Sequence, residues 1–210
     1  MNPKALYWID LETTGLDPNE DRILEIALAR APFNRPFDLT KLGSWVFSFK
    51  DWSDVSDRII DMHHKNGLLL ECIKSKLCDA PNSSQREHDM TILLNKALEP
   101  YKNDWIDDEN PNAEMTSDKL PVLAGSSVHF DRGFLRVDVP DFAKKFSHRL
   151  YDISALKLFC RSAGMTVQYK AEAHRAWDDI LESVQHTKEC AAWLGCSSSE
   201  LRRLFEPMPF

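Results

Sequence analysis

The strongest constraint in this chain is a strand that runs out of apolar residues and into acid. Residues 5–12 read ALYWIDLE, and the TTGLDP that follows supplies Gly15 and Pro18 as turn punctuation. Residues i and i+2 of a strand share a face, so Asp10 and Glu12 project together while Ile9 and Leu11 face the other way. Two carboxylates that close do not both stay ionised cheaply unless a cation sits between them. The pair therefore points to a hard divalent metal, Mg2+ or Mn2+, which oxygen ligands suit and which completes its shell with water and substrate phosphates. The plainer alternative is a pair of solvated acids at a strand end.

Around that strand the sequence reads as α/β. RILEIALAR and SWVFSF give a second and third strand, joined by short turns into a meander. From Val55 to Lys76 the pattern turns helical but irregular, and TILLNKALEPYK places Ile92, Leu93, Ala97 and Leu98 at helix spacing. PVLAG is a short buried strand, and SSVHFDRGFLRVDV is a loop entering a helix. DISALKLFCRSAG follows as a helix with Asp152 as N-cap and Gly164 as stop. AWDDILESVQHTKECAAWLG is the last long helix, with Ile180, Val184, Ala191 and Leu194 as its inward stripe, and Ser197 to Glu200 forms a capping box for a short helix in the tail. Strands followed by alternating strand and helix imply a mixed sheet.

The chain's 210 residues suffice for one core, and a single domain over 1–210 is expected, with residues 103–121, which carry six acids and no periodicity, as an acidic surface insertion and 197–210 as an extra tail. No apolar run approaches the roughly 18 residues of a membrane span, and the N-terminus lacks the pattern of a signal peptide. Five cysteines, an odd number without zinc spacing, read as reduced structural thiols. A cytoplasmic protein is expected, with a mitochondrial matrix as the alternative. The net charge of −7 repels polyanions, so a nucleic-acid partner needs a local site, and metal between carboxylates can supply one.

Further carboxylates extend the opening pair. Asp131, in HFDRGFL, begins a helix just after the PVLAG strand, where open α/β sheets bind ligands. HRAWDDILESV supplies His174 and Asp179, five residues apart, which would diverge by roughly 140° on one continuous helix. They converge only if His174 lies on the loop before it. A loop histidine beside a water held by a metal is placed to act as general base.

Taken together, WIDLETTGLDPNEDRILEIA, GSSVHFDRGFL, HRLYDISALKLFCR and HRAWDDILESV resemble the motifs of DEDDh exonucleases, most closely the oligoribonuclease family. The resemblance implies an RNase H-like mixed sheet of about five strands flanked by helices. It implies that Asp10, Glu12, Asp131 and Asp179 hold two Mg2+ or Mn2+ ions, that His174 is the general base, and that short RNA is cut from its 3' end to nucleoside 5'-monophosphates by a two-metal mechanism. It also implies a base-wedging role for Leu16, a substrate-side role for His63, a terminal-phosphate cap of Ser127, Arg149 and Ser154, and a homodimer as the working form, with short RNA as substrate and no membrane partner.

Two departures stand out. His148 occupies a position where the family usually has an aromatic residue, with Ser147 before it in place of a histidine, and the acidic insertion has no counterpart in the compact family pattern. Strict dinucleotide preference and dimerisation are therefore open, as are a general exonuclease acting on single-stranded DNA or longer RNA ends, a catalytically inactive nucleic-acid-binding module, and a binder that spares the phosphodiester.

Overall fold

Five strands form one sheet in the order β3-β2-β1-β4-β5. The structure, a computed structural model, describes residues 3–79, 83–166 and 174–195. The capping box at Ser197–Glu200 and the tail lie outside these. Strands β1 (Ala5–Thr13), β2 (Ile23–Pro32) and β3 (Thr40–Val46) form the antiparallel meander, and β4 (Val122–Gly125) and β5 (Leu150–Asp152) extend the other side in parallel. The expected mixed sheet of five strands is present.

Both faces of the sheet are covered, which is why β1, β2 and β4 are apolar nearly throughout. On one face Tyr7, Ile9, Ile26, Leu28 and Leu123 pack with Met90, Leu94 and Leu98 of α3 (Ser83–Leu98), and with Phe134 and Leu135 of α4 (His129–Asp138). On the other, Leu6, Trp8, Ala27, Ala29 and Ala124 meet Ile153 of α5 (Ile153–Ser162) and Ala176, Ile180 and Val184 of α6 (Ala176–Trp193). Small residues on the second face let α6 lie close to the sheet. Asp10 and Glu12 continue the row of Leu6 and Trp8, so the acids project toward the start of α6.

Several expectations shift. Helices α1 (Asp57–Lys65) and α2 (Leu68–Lys74) divide the irregular stretch. The third strand ends at Val46, and Phe47 lies beyond it in the core, donating its N–H to the Leu24 carbonyl. Helix α3 starts at Ser83, its first two turns being too polar to show a stripe, and it buries Met90, Leu94 and Leu98 while Ile92 is exposed. Leu194 falls just past the end of α6 and is exposed, so it leaves the expected stripe. The insertion is not solvated throughout. Its first residues lie in a 3-10 helix, Glu99–Trp105, where buried Asp104 accepts from Arg30 Nε at 2.6 Å and from the Tyr7 hydroxyl at 2.8 Å. Four cysteines, Cys72, Cys78, Cys160 and Cys190, are buried and free. Among the described residues no helix is long and apolar enough to cross a membrane.

Candidate active site

The cleft opens where β1 and β4 end, beside the first turns of α4 and α6. Two close approaches fix its floor. A side chain on Gly125 would strike the Ile9 carbonyl, so glycine lets β4 lie against β1 just before Asp10. In the turn after β1, Gly15 leaves room for the Asp21 carboxylate, which accepts from Thr14 Oγ1 and from the Asp17 N–H, each at 2.9 Å. The turn thus tied presents Leu16, three-quarters exposed, to the cleft.

All five expected residues meet in this one cavity of about 360 Å³: Asp10 and Glu12 from β1, Asp131 from α4, His174 from the segment before α6, and Asp179 from its first turn. One ligand atom each from Glu12, His174 and Asp179 lie within 4.8 Å of one another. Convergence depends on the backbone at His174, which is left-handed (φ 48°) and stands two residues before the helix, so the divergence of a continuous helix is avoided. Asp131 approaches from the opposite side and is oriented by the Leu11 N–H, which donates to its Oδ1 at 2.9 Å.

Electrostatics set what the cluster can hold. Burial pushes the Asp10 carboxyl well above its ordinary range, and the charges of Asp131, Asp179 and Glu12 push it further. Glu12 rises for the same leading reason, with Asp179 and Glu25 adding to it, and burial lifts Asp131 to about 7. Such a set sheds its protons readily only when a cation shares the site. Carboxylate oxygens with an adjacent imidazole are the donors a hard divalent ion takes. The residues present therefore fit the divalent metal.

The candidate substrate residues separate into two groups. Leu16 and Ser127 line the cleft, and a second lobe of about 250 Å³ adjoins it through Asp10, Ser126, Ser127 and Asp179, with Ser154, Lys157 and His186 on its wall. Ser127 Oγ donates to Ser154 Oγ at 2.9 Å, and Asp152 accepts from the N–H groups of both serines. The other three residues line neither lobe. His63 is enclosed, with Nε2–H on the Thr13 carbonyl at 3.1 Å and Nδ1 without a hydrogen bond, so it braces the end of β1 from behind. Burial lowers its pKa by penalising the charged ring. Arg149 is paired with Asp118, and His148 Nδ1 lies 2.8 Å from Ser117 Oγ, both partners coming from the insertion.

Two supports escaped the sequence reading. Glu25, nearly inaccessible on β2, accepts from Arg175 Nε at 3.0 Å and from the Ala176 N–H, while Arg175 also grips Glu71. This fastens the start of α6, hence His174 and Asp179 on either side of it. Asn66 closes α1 and donates from Nδ2 to the His174 carbonyl. The available signal for the first was a single acid inside an apolar strand, which requires a buried partner.

A family profile described as exonuclease, of the RNase T type, matches residues 7–187. The chain belongs to the exonuclease family. Its similarity within that family is to proteins named oligoribonuclease: the chain is 31% identical to that of Arabidopsis thaliana over 190 residues, covering 88% of this chain and 76% of the relative. It is 32% identical to that of Haemophilus ducreyi over 200 residues, 87% and 90% of the two chains, and 29% identical to that of Mycobacterium leprae over 192 residues, 87% and 78%. The resemblance to the oligoribonuclease family seen in the motifs thus extends over most of this exonuclease.

Proposed function

We propose that this exonuclease is a metal-dependent 3'-to-5' exoribonuclease that degrades short RNA, down to dinucleotides, to nucleoside 5'-monophosphates, as a single catalytic domain. The observation that carries this reading is the meeting of Asp10, Glu12, Asp131, His174 and Asp179 in one cleft beside the exposed Leu16. The four carboxylates would hold two Mg2+ or Mn2+ ions, which when bound would make a water nucleophilic at neutral pH and neutralise charge on the leaving 3' oxygen. His174 takes the attacking water's proton as its oxygen bonds to phosphorus and the bond to the 3' oxygen breaks. Leu16 separates the last two bases, and Ser127 and Ser154, with Arg149 and His148, receive the terminal 5' phosphate. His63 acts on substrate indirectly, through Thr13. A homodimer in a reducing compartment, the cytoplasm or a mitochondrial matrix, completes the proposal, supported by the exposed Leu158 and Phe159 and by the four free thiols.

A second reading, a general exonuclease tolerant of longer RNA or DNA ends, is favoured by one observation: Arg149 and His148 are held by the insertion rather than turned to the cleft. A time course on 5'-phosphorylated RNA of two, three and seven nucleotides and a matched DNA, in Mn2+ and in EDTA, decides between them. Metal-dependent turnover fastest on the dinucleotide is expected. Equal rates at all lengths, or a preference for DNA, would move the protein to the second reading.

A further inference from the structure

The insertion places a carboxylate on the arginine proposed to bind the terminal phosphate. Asp118 is ion-paired with Arg149 at 2.5 Å, both side chains being more than half exposed. The residue before it, Ser117, meets His148 twice, through the ring Nδ1 at 2.8 Å and by accepting from the His148 N–H at 3.3 Å. The residue after it, Lys119, donates from Nζ to Asp107 Oδ2 at 2.6 Å and from its N–H to the Thr116 carbonyl. Upstream, the insertion is rooted by buried Asp104 on Arg30 and Tyr7. Asp118 is therefore carried by a segment fastened on both sides, which keeps its concentration near Arg149 high without a strong bond.

A guanidinium presents the same fork of N–H donors to a carboxylate and to a phosphate. Both ligands compete for one group. Resting on the reading of Arg149 as a terminal-phosphate ligand, we propose that Asp118, positioned by Ser117 and Lys119, is a specificity determinant of this enzyme: a tethered competitor that holds Arg149 from the 5' phosphate and weakens discrimination by that phosphate. An exposed pair is readily exchanged, so the binding that a 5' phosphate gains from Arg149 is reduced modestly rather than abolished. Salt weakens the contact and the substrate's own phosphate grip alike.

The test compares diadenylate carrying a 5' phosphate with diadenylate carrying a 5' hydroxyl, hydrolysed in Mn2+ by the wild type, Asp118→Ala, Arg149→Ala and the double variant. Asp118→Ala should lower KM for the phosphorylated dinucleotide by roughly fivefold, the scale of an exposed pair, with kcat unchanged and the 5'-hydroxyl substrate unaffected. In the double variant that gain should vanish. Equal changes on both substrates, no change on either, or a gain that persists without Arg149 would overturn the proposal while wild-type turnover upholds the exoribonuclease reading. Absence of wild-type turnover on both dinucleotides would be a failure of that reading itself, and the competitor role would fall with it.

Discussion

Glu12 on β1 and Glu25 on β2 stand directly opposite one another across the antiparallel pair, yet they serve different ends. Glu12 opens into the cleft, whereas Glu25 is enclosed and neutralised by Arg175. Like charges in register destabilise a strand pair unless each finds a partner. Here one partner is built into the chain and the other is the proposed metal.

Arg175→Ala should destabilise the fold by about 3 kcal/mol, the low end for breaking a buried pair, because Glu25 would lose its guanidinium partner and keep only the Ser44 hydroxyl and the Ala176 N–H as donors. Denaturant unfolding measures it. Glu25→Gln, which keeps shape and removes charge, should cost less, and a larger loss than Arg175→Ala would contradict the proposed role of the pair.

Asp131→Ala should abolish cleavage, by at least about a hundredfold, since it removes a proposed metal ligand. Circular dichroism should stay unchanged, for Asp131 lies at the cleft edge of α4, where its carboxylate accepts from the Leu11 N–H and from its own backbone N–H. Substantial turnover in a folded variant would remove Asp131 from the site.

The acidic cluster gives a pH signature for the metal-free protein. In the folded state Glu12 keeps its proton up to about 9, against an ordinary 4.5, so between these values the native state binds more protons than the unfolded one. Stability from this source is full below pH 4.5 and is lost as pH rises toward 9. Thermal melts in EDTA should accordingly decline across that window. Mn2+ should raise Tm more at pH 8 than at pH 5.5. An equal rise at both, or none, would argue against a cation between the carboxylates.

Asn66→Ala should lower kcat several-fold with little change in KM, because it frees the His174 carbonyl without touching the cleft lining. A pure KM effect would mean that Asn66 contacts substrate instead. Leu16→Ala, by contrast, should raise KM by about tenfold, the cost of one lost base contact.

The sequence made the cleft legible because its chemistry breaks local rules: acids in an apolar strand and a histidine that cannot face Asp179 along a helix both demand a reason. Regular elements were legible where burial imposed a period, as in β1, β2 and α6. Edge strand β3 is half exposed and carries no alternation, and β5 is three residues long, too short for any period to show. Asp104 reads as surface because it lies in an acid-rich stretch without periodicity. Its burial depends on Arg30 and Tyr7, some 74 and 97 residues away, a distance at which no spacing rule operates. Arg149 shows the same limit, since its motif identifies the residue and only the fold reveals Asp118 beside it.

Of the three non-glycine residues with left-handed backbone among those described, Cys78, Ser127 and His174, two line the cleft. Each such residue costs about 1 kcal/mol or more relative to glycine, and sites of this kind persist where surroundings hold them in place. Selection for heat resistance alone would therefore drift toward glycine at Ser127 and His174. With His174 as the proposed base and Ser127 in the proposed phosphate cap, thermostable descendants of this protein would be enriched in weakened enzymes.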